Sequence, residues 1–177
     1  MTVDPLRFPI GTFSHDGPVT GADRAAWISD LDALPAQMRA ALDGLTDAQL
    51  DTPYRPGGWT LRQVAHHVPD SHLNAYTRFK LALTEDTPTI RPYAEAEWAR
   101  LPDVDATSIG TSLALLSALH ARWTTLLRAL PPEAWARTFL HPESGRTRLD
   151  LALGSYAWHG RHHLAHITTT AERHGWT

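Results

Sequence analysis

Between Ile109 and Leu130 the apolar residues recur at alternating spacings of four and three. Ile109, Leu113, Leu116, Trp123, Leu127 and Leu130 fall on this stripe, with His120 in its middle. That rhythm is the seam of a helix packed along its length against other helices. Three more stretches read the same way. From about Asp23 to Leu42, Trp27, Leu31, Leu34, Met38, Ala41 and Leu42 share one face, with Pro35 expected to kink the helix. Another helix starts where Thr60 and Gln63 form a capping box and Trp59 and Val64 a hydrophobic staple. It runs to about Leu83, with a bend expected at Pro69. The last spans about Leu149 to Arg173. Pro131-Pro132 ends the regular seam helix, and the long stretches after the second and third helices argue against simple up-down-up-down order. With no convincing strand alternation, the expectation is an all-α four-helix bundle. It forms one domain over residues 1–177, which includes an irregular Pro- and Gly-rich N-terminal arm over about 1–21.

Composition narrows the chemistry. The chain has 177 residues and no cysteine, so disulfides and thiolate metal ligands are both excluded. A net charge of −3 gives no electrostatic reason to bind nucleic acid or an anionic membrane. Arginine supplies every basic residue except Lys80, a bias of composition more than of function. There is no apolar run of signal-peptide type and no segment approaching a membrane span, so a cytoplasmic location is expected.

Eleven histidines are many for this length, and most of the excess lies in two clusters, His66-His67 and His159, His162, His163 and His166. A lone helical histidine is ordinarily a surface residue or a satisfied core residue. Four within eight residues, spaced so that i,i+4 pairs point the same way, present two imidazoles to one ion. At about 100° per residue, His163 lies roughly 40° and His159 roughly 80° from the centre of the apolar face. His166 and His162 fall toward its edge, in supporting or interface positions. The residue after His159 is Gly160, so the general base of an HExxH zinc protease is missing. On the earlier helix, Val64, Val68, Ser71 and Ala75 define the inner stripe. His67 borders it and supplies the third ligand; His66 turns toward Arg62 and Asp70. Three neutral imidazoles leave coordination positions open, as at catalytic rather than structural sites. One divalent ion per subunit is expected. Zinc is the default and nickel an alternative, since nitrogen ligands alone do not decide.

Several stretches together resemble one family. They are Phe8-Pro9-Ile10-Gly11, Leu50 to Arg55, Gly57-Gly58-Trp59-Thr60-Leu61-Arg62-Gln63-Val64, and His66-His67-Val68 with Asp70-Ser71-His72 and Asn74. They continue through Arg78-Phe79-Lys80-Leu81, Ile90-Arg91-Pro92-Tyr93, Ser112 to Leu116, Arg122-Trp123, Trp158-His159, His162-His163 and Ala165-His166-Ile167. The chain resembles the DinB-like superfamily of metal-dependent four-helix bundles, in particular its YfiT branch. The resemblance covers nearly the whole chain. It implies helices in up-down-down-up order, a homodimer, and a metal held by His67, His159 and His163. Pro69 departs from the family pattern, where a small residue is usual. Members of the branch have been named metal-dependent hydrolases, and close relatives are thiol S-transferases that use bacillithiol.

The expected function is therefore metal-dependent catalysis. In the leading form a metal-activated low-molecular-weight thiol attacks a small electrophile in detoxification. Arg55, Arg62 and Arg91 are candidates for an anionic cosubstrate, and His120, His162 and His166 for support of the ligands. The alternative is hydrolysis by metal-activated water, with Asp70 as the nearby carboxylate base. A third reading makes the metal a staple between helices in a non-catalytic binding module.

Overall fold

A computed structural model describes residues 4–176. Four long helices form the body: α1 (Gly21–Leu42), α3 (Leu61–Thr84), α6 (Ile109–Arg128) and α7 (Leu149–His174). Short helices fill the connections: α2 (Asp47–Leu50), α4 (Glu95–Trp98) and α5 (Pro102–Ala106). A 3-10 turn (Pro132–Ala136) and strands β1 (Thr138–His141) and β2 (Gly145–Arg148) lie between α6 and α7. No helix among the described residues is long and apolar enough to cross a membrane.

Helix starts follow the local chemistry. Thr60 accepts the Gln63 N–H at 3.1 Å, while Gln63 Oε1 takes the Thr60 N–H at 2.9 Å, so two otherwise unpaired donors satisfy each other. The same box caps α1 through Thr20 and Asp23, and α2 through Thr46 and Gln49. Gly175 closes α7 in the left-handed conformation, at φ 66°. Helix α1 continues through Pro35, and α3 through Pro69. A proline inside a helix costs about 3 kcal/mol. Around Pro69 that cost is offset by burial, since Val64, Ala65, Val68 and Ala75 are all closed to solvent.

Contacts along the helices set their directions. His66 meets Ser112, His72 meets His120 and Phe79 meets Trp123, so α3 and α6 run parallel. Trp27 abuts Gly154 and Leu34 abuts Gly160, so α1 and α7 run parallel. Arg78 meets Tyr156 while His67 meets His159, so α3 and α7 are antiparallel. The order is up-down-down-up, with α1 packed on α6 and α7, and α3 packed on the same two. This order places the early part of α3 beside the middle of α7, although some ninety residues separate them.

The apolar core has two parts. One gathers Ile28, Leu31, Phe79, Trp123, Leu127 and Leu153; the other gathers Leu34, Met38, Val64, Val68, Leu116 and Ile167. Between them, at the level of His72, His120 and His159, lies a layer of imidazoles.

The β-hairpin departs from the all-helical reading. Phe139 pairs with Thr147 and Leu140 with Arg146 across it. Leu140 also exchanges backbone hydrogen bonds with the segment before it, donating to the Pro88 carbonyl and accepting from Ile90 N–H at 2.9 Å each. Four-residue strands show too little alternation to stand out in sequence, and this pairing partner lies fifty residues away. The expected N-terminal arm is irregular over residues 4–20, its first three positions lying outside the described residues. Trp158 Nε1 donates to the Gly11 carbonyl at 3.2 Å and ties the arm to α7.

Candidate metal centre

His67, His159 and His163 come together. One ring nitrogen of each lies within 4.8 Å of the others. His67 Nε2 stands 3.2 Å from His159 Nε2, and the rings of His159 and His163 lie 4.5 Å apart, edge to face. Helix spacing accounts for the α7 pair. A residue four positions on returns to the same face, so both imidazoles point at α3. The glycines of α7 allow the close approach. A methyl group on Gly160 would come within 3.4 Å of three atoms of Leu34, and one on Gly154 would meet Trp27 at 2.9 Å.

Burial keeps the three rings neutral. His159 and His163 are held well below the ordinary histidine value by desolvation and by neighbouring imidazoles. Desolvation lowers His67 to about 4. Neutral imidazoles carry the lone pairs that a metal requires. Three converging nitrogens, no cysteine and no carboxylate in the cluster fit a borderline divalent ion. The residues present therefore suit the group, with coordination positions left over for water or substrate.

The centre lies against a pocket of about 360 Å³. Trp59 and Trp158 form two walls. Trp59 packs against His67 at 4.6 Å, and Trp158 stacks on His162 at 4.6 Å with an 18° tilt. The loop before α3 brings Tyr54 and Arg55, and the N-terminal arm brings Arg7 and Phe8. Gly58 is required in that loop, because a Cβ there would sit 2.8 Å from Arg55 Cγ.

The supporting candidates separate clearly. His166 donates or accepts at both ring nitrogens: Nε2 faces the Arg7 carbonyl at 3.1 Å, and Nδ1 faces His163 Nδ1 at 3.4 Å. Tyr54 stacks on its ring at 3.9 Å. His162 lies between Trp158 and Phe8 and is lowered to about 4 by burial and by His166. His120 is fully enclosed; Nδ1 faces the Leu31 carbonyl, and Nε2 meets His72 Nδ1 at 2.8 Å. His66 turns away from the centre and bonds Ser112 at 2.7 Å.

Other candidates lie elsewhere. Arg55 lines the pocket, but Arg91 lines a separate cavity with Asn74, Tyr93 and Trp98. Arg62 is engaged by Asp51 at 2.7 Å and Asp47 at 2.8 Å. Asp70 does not line the pocket; burial and Asp103 raise its carboxyl to about 6. The carboxylate that does line it is Glu95, raised by desolvation and opposed by Arg78. Sequence reasoning missed Glu95 because it arrives from a connection with no periodicity.

It also missed His72, whose Nε2 meets His159 Nδ1 at 3.1 Å. The signal was available in His120. A histidine on an apolar seam needs a buried polar partner, and His72 follows Ser71 of the inner stripe directly.

Residues 30–167 match the DinB superfamily. The chain belongs to that superfamily. A Bacillus mycoides (strain KBAB4) protein named provisionally as a metal-dependent hydrolase is 53% identical over 171 residues, covering 97% of this chain and 98% of that protein. A Bacillus cereus (strain B4264) protein with the same provisional name is 52% identical over 174 residues, covering 98% of this chain and all of its own. Among solved structures, YfiT from Bacillus subtilis superposes with a TM-score of 0.95 at 48% identity, covering 98% of this chain and 100% of YfiT. YfiT is described as a probable metal-dependent hydrolase with an unusual four-helix bundle topology. TT2238, a four-helix bundle protein, matches more distantly, with a TM-score of 0.56 at 25% identity over 80% of this chain and 94% of its own.

Proposed function

We propose that this DinB-superfamily chain is a metal-dependent enzyme whose three-histidine centre activates a low-molecular-weight thiol of the bacillithiol type for attack on a small electrophile. The observation that carries this reading is a cluster of three neutral imidazoles facing a pocket with two arginines, in a chain with no cysteine. Neutral ligands leave the full double charge of an ion uncompensated, so the centre favours an anionic ligand. A zinc or nickel ion bound there lowers the pKa of a coordinated thiol or water and so supplies the nucleophile.

The chain supplies the rest. Arg7 and Arg55 line the pocket and would pair with carboxylates of the thiol, since guanidinium and carboxylate match in geometry. Trp59, Trp158, Phe8 and Tyr54 present aromatic surface to an apolar electrophile and exclude water. In the transfer, the sulfur lone pair forms a new S–C bond, the leaving group departs with its bonding pair, and the thiol proton passes to solvent.

Hydrolysis is the second reading, favoured by Glu95. Burial raises its carboxyl above the ordinary carboxylate range, which makes it a stronger base on the pocket lining for taking a proton from water. The provisional hydrolase names of the relatives lie in the same direction. A panel of electrophiles and esters, assayed with zinc- or nickel-loaded protein with and without bacillithiol, separates the two. The proposal expects turnover that requires thiol and survives Glu95→Gln. Ester cleavage without thiol, lost in Glu95→Gln, overturns it in favour of hydrolysis.

A further inference from the structure

An imidazole at the metal centre can offer Nε2 to an ion only if its single proton sits on Nδ1. Both α7 ligands have their Nδ1 occupied by another histidine, and each chain of contacts ends on a main-chain carbonyl. His159 Nδ1 meets His72 Nε2 at 3.1 Å, His72 Nδ1 meets His120 Nε2 at 2.8 Å, and His120 Nδ1 meets the Leu31 carbonyl. His163 Nδ1 meets His166 Nδ1 at 3.4 Å, and His166 Nε2 meets the Arg7 carbonyl at 3.1 Å.

A carbonyl oxygen only accepts, and that fact fixes every proton along both chains. His120 must donate from Nδ1, so its Nε2 accepts. His72 then donates from Nδ1 and accepts at Nε2. His159 donates from Nδ1, which leaves its Nε2 lone pair bare. On the other side His166 donates from Nε2 and accepts at Nδ1. His163 therefore donates from Nδ1, and its Nε2 is also bare. We infer that two imidazole relays, His120–His72 and His166, hold His159 and His163 in the Nδ1–H tautomer and so aim both Nε2 lone pairs at the ion. His72, His120 and His166 are positioning residues, acting only through the ligands they contact.

Ligating histidines usually donate their second N–H to a carboxylate, a carbonyl or water. Here the carbonyls belong to α1 and to the N-terminal arm, one helix or more away, and intervening imidazoles span the distance. The buried rings serve this end without leaving an unpaired polar atom in the core, where each would be costly. His67 differs. Its Nε2 faces the bare Nε2 of His159 at 3.2 Å, so in ion-free protein His67 donates across that contact. Zinc must displace that proton, and His67 alone of the three changes tautomer on loading.

The inference rests on the metal-binding reading above, and the test keeps the two apart. Long-range proton–nitrogen correlation spectra of the ¹⁵N-labelled full chain report the protonated nitrogen of each ring. In ion-free protein His159 and His163 are expected to show protonated Nδ1 and bare Nε2, and zinc is expected to move only the His67 proton. Protonated Nε2 on His159 or His163 overturns the relays even if zinc binds. The expected spectra with no zinc uptake would instead defeat the metal reading and leave the relays standing. Chelator competition then measures zinc affinity in His72→Phe and His166→Phe. Each is expected to lose roughly 10–100-fold; unchanged affinity in folded variants overturns the positioning role. The wild-type spectra decide the tautomers should either variant fail to fold.

Discussion

Histidine protonation at this centre links the residues to stability. The unfolded chain takes up imidazole protons near pH 6.5. The folded chain holds His67, His162 and His166 neutral to about 4, chiefly through desolvation. Between those values the unfolded state binds more protons, so acid favours unfolding. Urea denaturation of ion-free protein should show stability constant above about pH 7 and falling from about pH 6.5 through pH 4, with the fall continuing below because His72, His159 and His163 stay neutral lower still. His67 alone contributes on the order of 3 kcal/mol to that loss. A profile flat from pH 7 to pH 4 would mean that these rings are solvated and protonate freely. At this scale the sequence was legible where periodicity carried the information. The i,i+4 spacing on an amphipathic helix singled out His159 and His163, and the border of an inner stripe singled out His67. His72 could be suspected as the buried partner of His120, but its contact with His159 depends on which helix packs opposite, and the role of Glu95 was not legible because it rests on the path of an aperiodic connection.

Helix α7 carries two candidate ligands, His159 and His163, on one face and two close-packing glycines on another. Gly160 follows His159 directly, and a Cβ there would lie 2.4 Å from Leu34 Cδ2. Gly160→Ala must push α1 away or force Leu34 off its rotamer, at a cost of about 1–3 kcal/mol. Urea unfolding checks this. A loss of that size is expected, with weakened zinc binding because His159 shifts with its neighbour; a neutral or stabilised variant would mean that Leu34 moves aside freely. Helix α3 runs without a break through Pro69, where local rules expect a bend, with buried residues on both sides. The Thr60 cap was visible from three residues and is present as read, because capping is local chemistry. The hairpin was invisible because its pairing is long-range and its strands are short.

The whole molecule divides its apolar core around the imidazole layer, and each half closes on its own side chains. That arrangement separates a catalytic metal from a staple. Zinc at 100 times its dissociation constant adds about 2.7 kcal/mol through binding alone. Chelation should therefore lower the unfolding midpoint by that linkage, while the ion-free protein keeps its helix content by circular dichroism. Loss of helical structure on chelation would instead assign the metal the role of holding the bundle together. The up-down-down-up order follows from sequence only through the family resemblance. Four amphipathic stripes specify a bundle but not which helices are neighbours, and that arrangement alone brings His67 to His159 and His163.

Metal content per chain tests the central claim most directly. Elemental analysis of the purified wild-type protein, as isolated and after loading with zinc or nickel followed by desalting, should find one divalent ion per chain. The variant carrying His67→Ala, His159→Ala and His163→Ala should retain none while remaining helical. A wild-type protein that takes up no ion, or a folded triple variant that keeps one per chain, would contradict the account.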